Sequence, residues 1–296
     1  MNIVVLGPGA IGALWACSLQ SAGHNVGLWS RQSATSLELQ LDQHPVQQFA
    51  NCQSEQLQQC DLLLVTVKAG QVSGAMQSLK NLIADETIIV LMHNGMGTAE
   101  NVATLLPRNP LLLATTSHGA YRVDANHVRH TGNGTTQIGP YNQLATQCAF
   151  VSEVMQHALP PVSWQPDIQQ ALWQKLAINC AINPLTALHQ ISNGQLLEPR
   201  FTSTLEQLVT EVAQVMRAEG IEVTAEDLLQ RVYQVAEATA ANYSSMQQDI
   251  FYRRQSEIDF ITGHLLNIAQ KHGLTLPQNQ ALYSAIKQIE QGWNKQ

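Results

Sequence analysis

Charge is scarce in this sequence. Asp, Glu, Lys and Arg together make up 12% of its 296 residues, so much of the polar surface has to come from Gln, Asn, Ser and Thr. The 15 basic and 22 acidic residues leave a net charge of −7, and no Lys/Arg cluster is present. That balance argues against gripping nucleic acid or an anionic membrane by bulk charge, although a small anion can still be held locally. No apolar run approaches the roughly 20 residues that a bilayer-spanning helix needs. Cysteines number only five, at 17, 52, 60, 148 and 180, with no CxxC, and the ten histidines show no HExxH. A disulfide framework and a metal site are therefore not expected, and free thiols point to a reducing cytoplasm. The apolar N-terminus, MNIVVLGPGAIGALWACSL, lacks the basic start of a signal peptide, and its glycine spacing has another reading.

What is present is alternation. In the first half, Asn2–Leu6, Asn25–Ser30, Asp61–Val67, Thr87–Met92 and Leu111–Thr116 read as strands. Several are near-continuous apolar runs of the kind buried on both faces of a parallel sheet. Helical segments at about Ala10–Ser21, Gln71–Asn81 and Ala99–Leu106 separate them, which predicts βαβ units. His127–Thr131 and Thr135–Ile138 flank Gly132-Asn133-Gly134 and predict a hairpin at the sheet edge. After prolines 160, 161 and 166 the strand signal stops. Helical periodicity follows at about Asp167–Ala181, Thr202–Glu219, Ala225–Ala241, Ser256–Lys271 and Gln278–Gln291. The expectation is an α/β domain with a mainly parallel sheet over 1–165 and an all-α domain over 166–296.

Gly7-Pro8-Gly9-Ala10-Ile11-Gly12 is a GxGxxG between the first strand and the first helix. In that setting Gly7 permits the turn, Gly9 lets the backbone approach a pyrophosphate and Gly12 lets helix and strand pack closely. The helix start offers N–H groups and partial positive charge. A carboxylate about twenty residues further on would bind the ribose 2′-hydroxyl of NAD. Here the second strand ends in Ser30 and Arg31, and no Asp or Glu follows until Glu38. A guanidinium takes a 2′-phosphate bidentately, so the cofactor inferred is NADP(H).

Three further groups carry chemistry. Lys175, Asn179 and Asn183 stand at i, i+4 and i+8 and form one stripe of a helix. A cation and two amides in line suit a substrate with carboxylate and hydroxyl or keto groups, although such a stripe also describes a solvated helix face. Asn242–Met246 and Arg253–Asp259 form a second group, in which Glu257 and Asp259 would also serve as first-turn helix carboxylates. The third is His93-Asn94-Gly95-Met96-Gly97 after one strand and Lys68 after another, where doubly wound sheets bind ligands.

Together these segments resemble the 2-dehydropantoate 2-reductases, or ketopantoate reductases. GPGAIG, VTVKAGQ, HNGMG, LWQKLAINCAINPLTAL, SSMQQDI and SEIDFITGHL are similar to that family's blocks, in its order and across nearly the whole chain. The resemblance implies a Rossmann domain followed by a helical domain like that of 6-phosphogluconate dehydrogenase. It implies NADPH-dependent reduction of ketopantoate to (R)-pantoate for pantothenate and coenzyme A synthesis, by monomers or homodimers. Lys175 would be the general acid. Asn179, Asn183, Asn193 and Ser245, with Asn242 nearby, would bind substrate. Asn94 would contact both substrate and cofactor. Lys68, Ala120 and Glu257 would lie on the cofactor side, Glu257 also orienting Lys175, and Arg31 would hold the 2′-phosphate. Two positions depart from the family pattern: Ser256 stands where Thr is frequent, and Gly119-Ala120-Tyr121 replaces small residues or Arg. The competing readings are a related NADPH-dependent 2-keto acid reductase and a non-catalytic NADP-binding protein.

Overall fold

Each apolar run of the first half becomes a buried strand. The computed structural model describes residues 1–293. Its first elements are β1 (Asn2–Leu6), α1 (Ala10–Ser21), β2 (Asn25–Trp29), β3 (Ser36–Leu41), β4 (Gln47–Asn51), α2 (Ser54–Gln58), β5 (Leu62–Val65), α3 (Ala69–Leu79), β6 (Ile88–Leu91), α4 (Ala99–Leu105), β7 (Leu111–Thr116), β8 (Gly119–Arg122), β9 (His127–Gly132), β10 (Thr136–Pro140), α5 (Phe150–Ala158) and β11 (Val162–Trp164). The strands form one sheet in the order β11-β10-β7-β6-β5-β1-β2-β4-β3-β9-β8. At its centre β7, β6, β5, β1 and β2 run parallel. Every residue of β5, β6 and β7 is buried, as covering on both faces demands. From β1 the chain moves first to β2 on one side, and β5 then lies on the other. This is a topological switch point, where open parallel sheets bind ligands at the carboxyl ends of their strands.

The hairpin expected around Gly132-Asn133-Gly134 does not form. β9 instead pairs antiparallel with β8 and parallel with β3, while β10 pairs antiparallel with β7 and parallel with β11. The chain around Gly134 is pinned to the segment after β7. The Ser117 N–H donates to the Thr135 carbonyl, the Thr135 N–H to Ser117 Oγ and the Gly134 N–H to His118 Nδ1. Each half of the supposed hairpin thus finds a partner elsewhere. The antiparallel pair β3–β4 is an addition. Its signal was the alternation of buried Leu37 and Leu39 with polar neighbours.

The second-half helices are α6 (Ile168–His189), α7 (Thr202–Ala218), α8 (Ala225–Ala238), α9 (Ser245–Phe251), α10 (Thr262–Lys271) and α11 (Pro277–Gly292). The chain divides into two compact units, Met1–His93 with Thr98–Ala171, and Asn94–Gly97 with Leu172 onward. By contacts the units change after Ala171, six residues beyond the expected division at 165, and Asn94–Gly97 group with the second unit. Residues 165–168 stay with the first unit because the Gln165 N–H donates to the Ile138 carbonyl, and Gly139 lies hard against Gln165 and Ile168. The helix expected over Ser256–Lys271 is also corrected, since regular helix starts only at Thr262 after a short 3-10 turn, Ile258–Phe260. The Phe260 carbonyl is taken by the Met96 N–H instead of by a helical partner. Among the described residues no helix is long and apolar enough to cross a membrane.

α6 is the spine of the second unit. Trp173, Leu176, Ala177, Cys180, Ala181, Ile182 and Leu185 are all buried in the core with Leu205, Val212, Leu265 and Ile286. Apolar residues surround this helix on nearly all sides, which marks it as interior.

Candidate active site

The glycine loop is built by steric exclusion in two places and by openness in one. Gly7 has φ +86°, and a Cβ there would stand 2.3 Å from Val67 Cγ1. A Cβ on Gly12 would stand 2.4 Å from both the Gly7 carbonyl oxygen and Thr66 Oγ1. Gly9 differs, because a Cβ there meets only the Gly7 carbonyl oxygen, at 4.0 Å. The space above Gly9 is therefore open, and α1 starts on it with no side-chain cap and no acidic residue in its first turn. An uncapped helix start below an open glycine is a cradle for an anion, and it fits the pyrophosphate of a dinucleotide. Thr66 Oγ1 donates to the Gly7 carbonyl at 2.8 Å, and Arg122 Nη1 donates to the Pro8 carbonyl at 2.7 Å. The sequence reading missed both of these braces. Only the loop's contacts, not its motif, reveal them.

The parallel strands β2 and β5 lead to two of the other first-unit candidates, and β8, antiparallel to β9, carries the third. Arg31 lies just past β2 with its side chain exposed, Lys68 is the residue preceding α3, and Ala120 is half-buried on β8. Ala120 brings no polar side chain, so it can offer a ligand only its backbone. His93 Nε2 lies 2.7 Å from Thr98 Oγ1, and His118 Nδ1 lies 3.0 Å from His130 Nε2. Both histidines thus serve as hydrogen-bonding parts of the scaffold.

In the second unit the α6 stripe is no solvated face. Lys175 and Asn179 are half-buried and Asn183 is buried. Burial pushes the Lys175 ammonium down to about 8, while the Glu257 carboxylate acts in the opposite direction and favours its charge. Glu257 is itself buried, and its Oε2 accepts from Asn94 Nδ2 at 3.3 Å. Lys175, Glu257 and Asn94 come from distant parts of the sequence, and the fold gathers them around one carboxylate.

Two left-handed glycines seat Asn94. Gly95 has φ +80°, and a Cβ there would stand 2.4 Å from the Phe260 carbonyl oxygen; Gly97 has φ +96° and lies close to His264. The Met96 N–H between them donates to that same Phe260 carbonyl at 2.8 Å. Only glycine fits both the dihedral and the close approach. On the other side of Glu257, Ser256 donates from its N–H (2.9 Å) and its hydroxyl (2.6 Å) to Glu290 Oε1 on α11. Asp259 accepts from Tyr283 (2.7 Å) and Lys287 (2.8 Å) on the same helix. The sequence reading did not single out Glu290, Tyr283 or Lys287, whose i, i+4 and i+3 spacings look like any helix surface.

Two of the remaining substrate candidates are bonded to each other. The Asn193 N–H donates to the Asn242 carbonyl at 2.9 Å, and Asn193 Nδ2 donates to Thr239 Oγ1 at 2.9 Å. Asn193 is buried, yet its Oδ1 has no partner among the described residues, leaving an acceptor to be satisfied. Asn242 and Ser245 are exposed, Ser245 in the first turn of α9. Chemically, these candidates offer the acidic ammonium of Lys175, the buried carboxylate of Glu257 and several amide and hydroxyl groups.

Comparison with known proteins gives matches along nearly the whole chain. Residues 3–143 match the family model "Ketopantoate reductase PanE/ApbA", and residues 167–290 match its C-terminal counterpart. A 2-dehydropantoate 2-reductase of Vibrio cholerae serotype O1 is 54% identical over 295 residues, covering 100% of both chains. Among solved structures, a PanE/ApbA family ketopantoate reductase from Ralstonia eutropha JMP134 superposes with a TM-score of 0.88 at 27% identity, covering 99% of each chain. A D-mandelate dehydrogenase with NADH and anilino(oxo)acetate gives a TM-score of 0.90 over 99% of this chain and 100% of its own. Its 19% identity makes that a likeness of fold alone.

Proposed function

The chain belongs to the ketopantoate reductase family, and from that premise we propose that Lys175 is the general acid in NADPH-dependent reduction of 2-dehydropantoate to (R)-pantoate. The enzyme is an oxidoreductase using NADP(H). The observation that carries the assignment of Lys175 is its burial beside Glu257, which leaves it with an acidity near neutral pH.

NADPH, when bound, supplies the hydride that reduces the C2 carbonyl. The backbone of Gly7, Pro8, Gly9, Ala10, Ile11 and Gly12 would hold its pyrophosphate. Arg31 with Ser30 would hold its 2′-phosphate, and Lys68, Ala120, Asn94 and Glu257 would contact the remainder. The keto oxygen acquires negative charge as the carbonyl is reduced. Lys175 stabilises that charge and donates a proton to it, giving the alcohol. An ammonium near 8 is still mostly protonated at pH 7, yet gives up its proton far more readily than an exposed lysine. Glu257 keeps the ammonium charged until that moment and anchors Asn94. The neutral amine then regains a proton from solvent. Asn179, Asn183, Asn193, Asn242 and Ser245 present amides and hydroxyls to the substrate's carboxylate and hydroxyl, and Asn193 Oδ1 is ready to accept a hydroxyl proton. The five cysteines are unpaired, and burial pushes the Cys17 and Cys180 thiols up to about 12. An odd number of widely spaced cysteines with no CxxC supports a reducing compartment, the cytoplasm.

The test is a steady-state assay of NADPH oxidation with 2-dehydropantoate and a panel of other 2-keto acids, on the wild type and Lys175→Ala. The variant should lose roughly 10²–10⁴-fold in kcat while still binding NADPH. Normal turnover by Lys175→Ala would overturn its assignment. A kcat/KM clearly higher for another keto acid would reassign the substrate.

A further inference from the structure

We propose that Asn51 is the positioning residue that gives this enzyme its preference for NADPH over NADH. It sits at the end of β4 and is 1% exposed. Its side chain is the hub of the turn that follows β2. Asn51 Oδ1 accepts the Ser30 N–H at 3.2 Å, and Nδ2 donates to the carbonyls of Gln32 at 3.0 Å and Ala34 at 2.6 Å. The Asn51 N–H donates to the Thr35 carbonyl at 2.8 Å. One amide thus ties down the residues on both sides of Arg31 and leaves the guanidinium side chain exposed. The turn has no regular secondary structure, and its other ties, from the Gln32 N–H to Ser30 Oγ (3.0 Å), from Cys52 Sγ to the Ser30 carbonyl (3.3 Å) and from Gln53 Nε2 to the Thr35 carbonyl (3.2 Å), do not reach the Gln32 and Ala34 carbonyls.

The chemistry requires an amide. The buried position needs one acceptor and two donors on one short side chain. A carboxylate would meet the Ser30 N–H but repel the two carbonyls, and a hydroxyl cannot span all three groups. Without Asn51 the turn becomes mobile, and cofactor binding then has to order it. NADH has no 2′-phosphate for Arg31 to grip, so its affinity changes little. The inference rests on Arg31 as the 2′-phosphate holder.

The test is fluorescence titration of NADPH and NADH into wild type, Arg31→Ala, Asn51→Ser, Asn51→Asp and the Arg31→Ala/Asn51→Ser double variant, with thermal unfolding of each. Asn51→Ser and Asn51→Asp should weaken NADPH about tenfold and NADH less than about twofold. The double variant should bind NADPH no worse than Arg31→Ala. If Arg31→Ala itself binds NADPH normally, the reading of Arg31 fails and this inference with it. If Arg31→Ala weakens NADPH but the Asn51 variants bind both cofactors as wild type does, or lose both equally, Asn51 alone is refuted. Should both Asn51 variants fail to fold, hydrogen exchange on the wild type decides. The Ser30 amide, bonded to Asn51 Oδ1, should be protected without cofactor, and exchange at the unprotected rate refutes the proposal.

Discussion

Replacing Glu257 with Gln should move the pH limit of catalysis, because it removes one charge while keeping the shape. In the wild type the Lys175 ammonium lies at about 8, held down by burial and lifted by Glu257. An opposite charge at close range typically shifts a pKa by about 1–3 units, and the lower end applies because burial dominates here. Lys175 in Glu257→Gln should then titrate about one unit lower, near 7. At pH 7 the protonated fraction falls from about 90% to about 50%, less than a twofold effect. At pH 9 it falls from about 9% to about 1%, close to tenfold. The assay is kcat/KM for 2-dehydropantoate at saturating NADPH, from pH 6 to 10 at constant ionic strength. Any general loss of binding lowers the whole curve, so the midpoint of the alkaline limb is the informative quantity. An unchanged midpoint in Glu257→Gln would refute the claim that this carboxylate sets the charge of Lys175. A wild-type profile flat to pH 10 would refute Lys175 as the proton donor.

Other outcomes follow from the same contacts. Gly9→Ala should melt with the wild type, since its Cβ meets nothing closer than 4.0 Å, yet bind NADPH more weakly. Gly7→Ala should lose about 2 kcal/mol or more in chemical denaturation from its left-handed φ and the Val67 clash. Lys175→Met should stabilise the protein. The unfolded lysine titrates near 10.5 and the folded one near 8, so the unfolded state binds more protons between them and wild-type stability rises with pH across that window. The gain from Met should be largest below pH 8, at most roughly 3 kcal/mol, and vanish toward pH 10.5 in urea melts. Glu290→Leu strands the Ser256 N–H and hydroxyl, and should lose about 1–3 kcal/mol and lower kcat through the segment that carries Glu257.

The central sheet was legible because its strands are short, apolar and separated by helices with clear stops. Asn2–Leu6, Leu111–Thr116 and Ala10–Ser21 have the bounds their patterns predict. The edges were less legible, since pairing there depends on which exposed strand is nearest. The Gly132-Asn133-Gly134 turn signal lost to contacts with Ser117 and His118. The stretch from Ser256 to Ile261 has helical periodicity but spends its polar groups on Glu290 and Met96, so the helix waits until Thr262.

By itself the sequence determined the βαβ order, the glycine turn, the choice of an arginine over a carboxylate after β2, and the helical spacing of Lys175, Asn179 and Asn183. These are local properties, set by φ/ψ allowance and by the 3.6-residue repeat. Only the tertiary structure decided that Lys175 is desolvated beside Glu257, that Asn94 hangs from two glycines against Phe260, and that Asn51 braces the turn bearing Arg31. Desolvation and hydrogen bonding here depend on neighbours 17 or more residues away along the chain, and no local window of sequence shows that they meet.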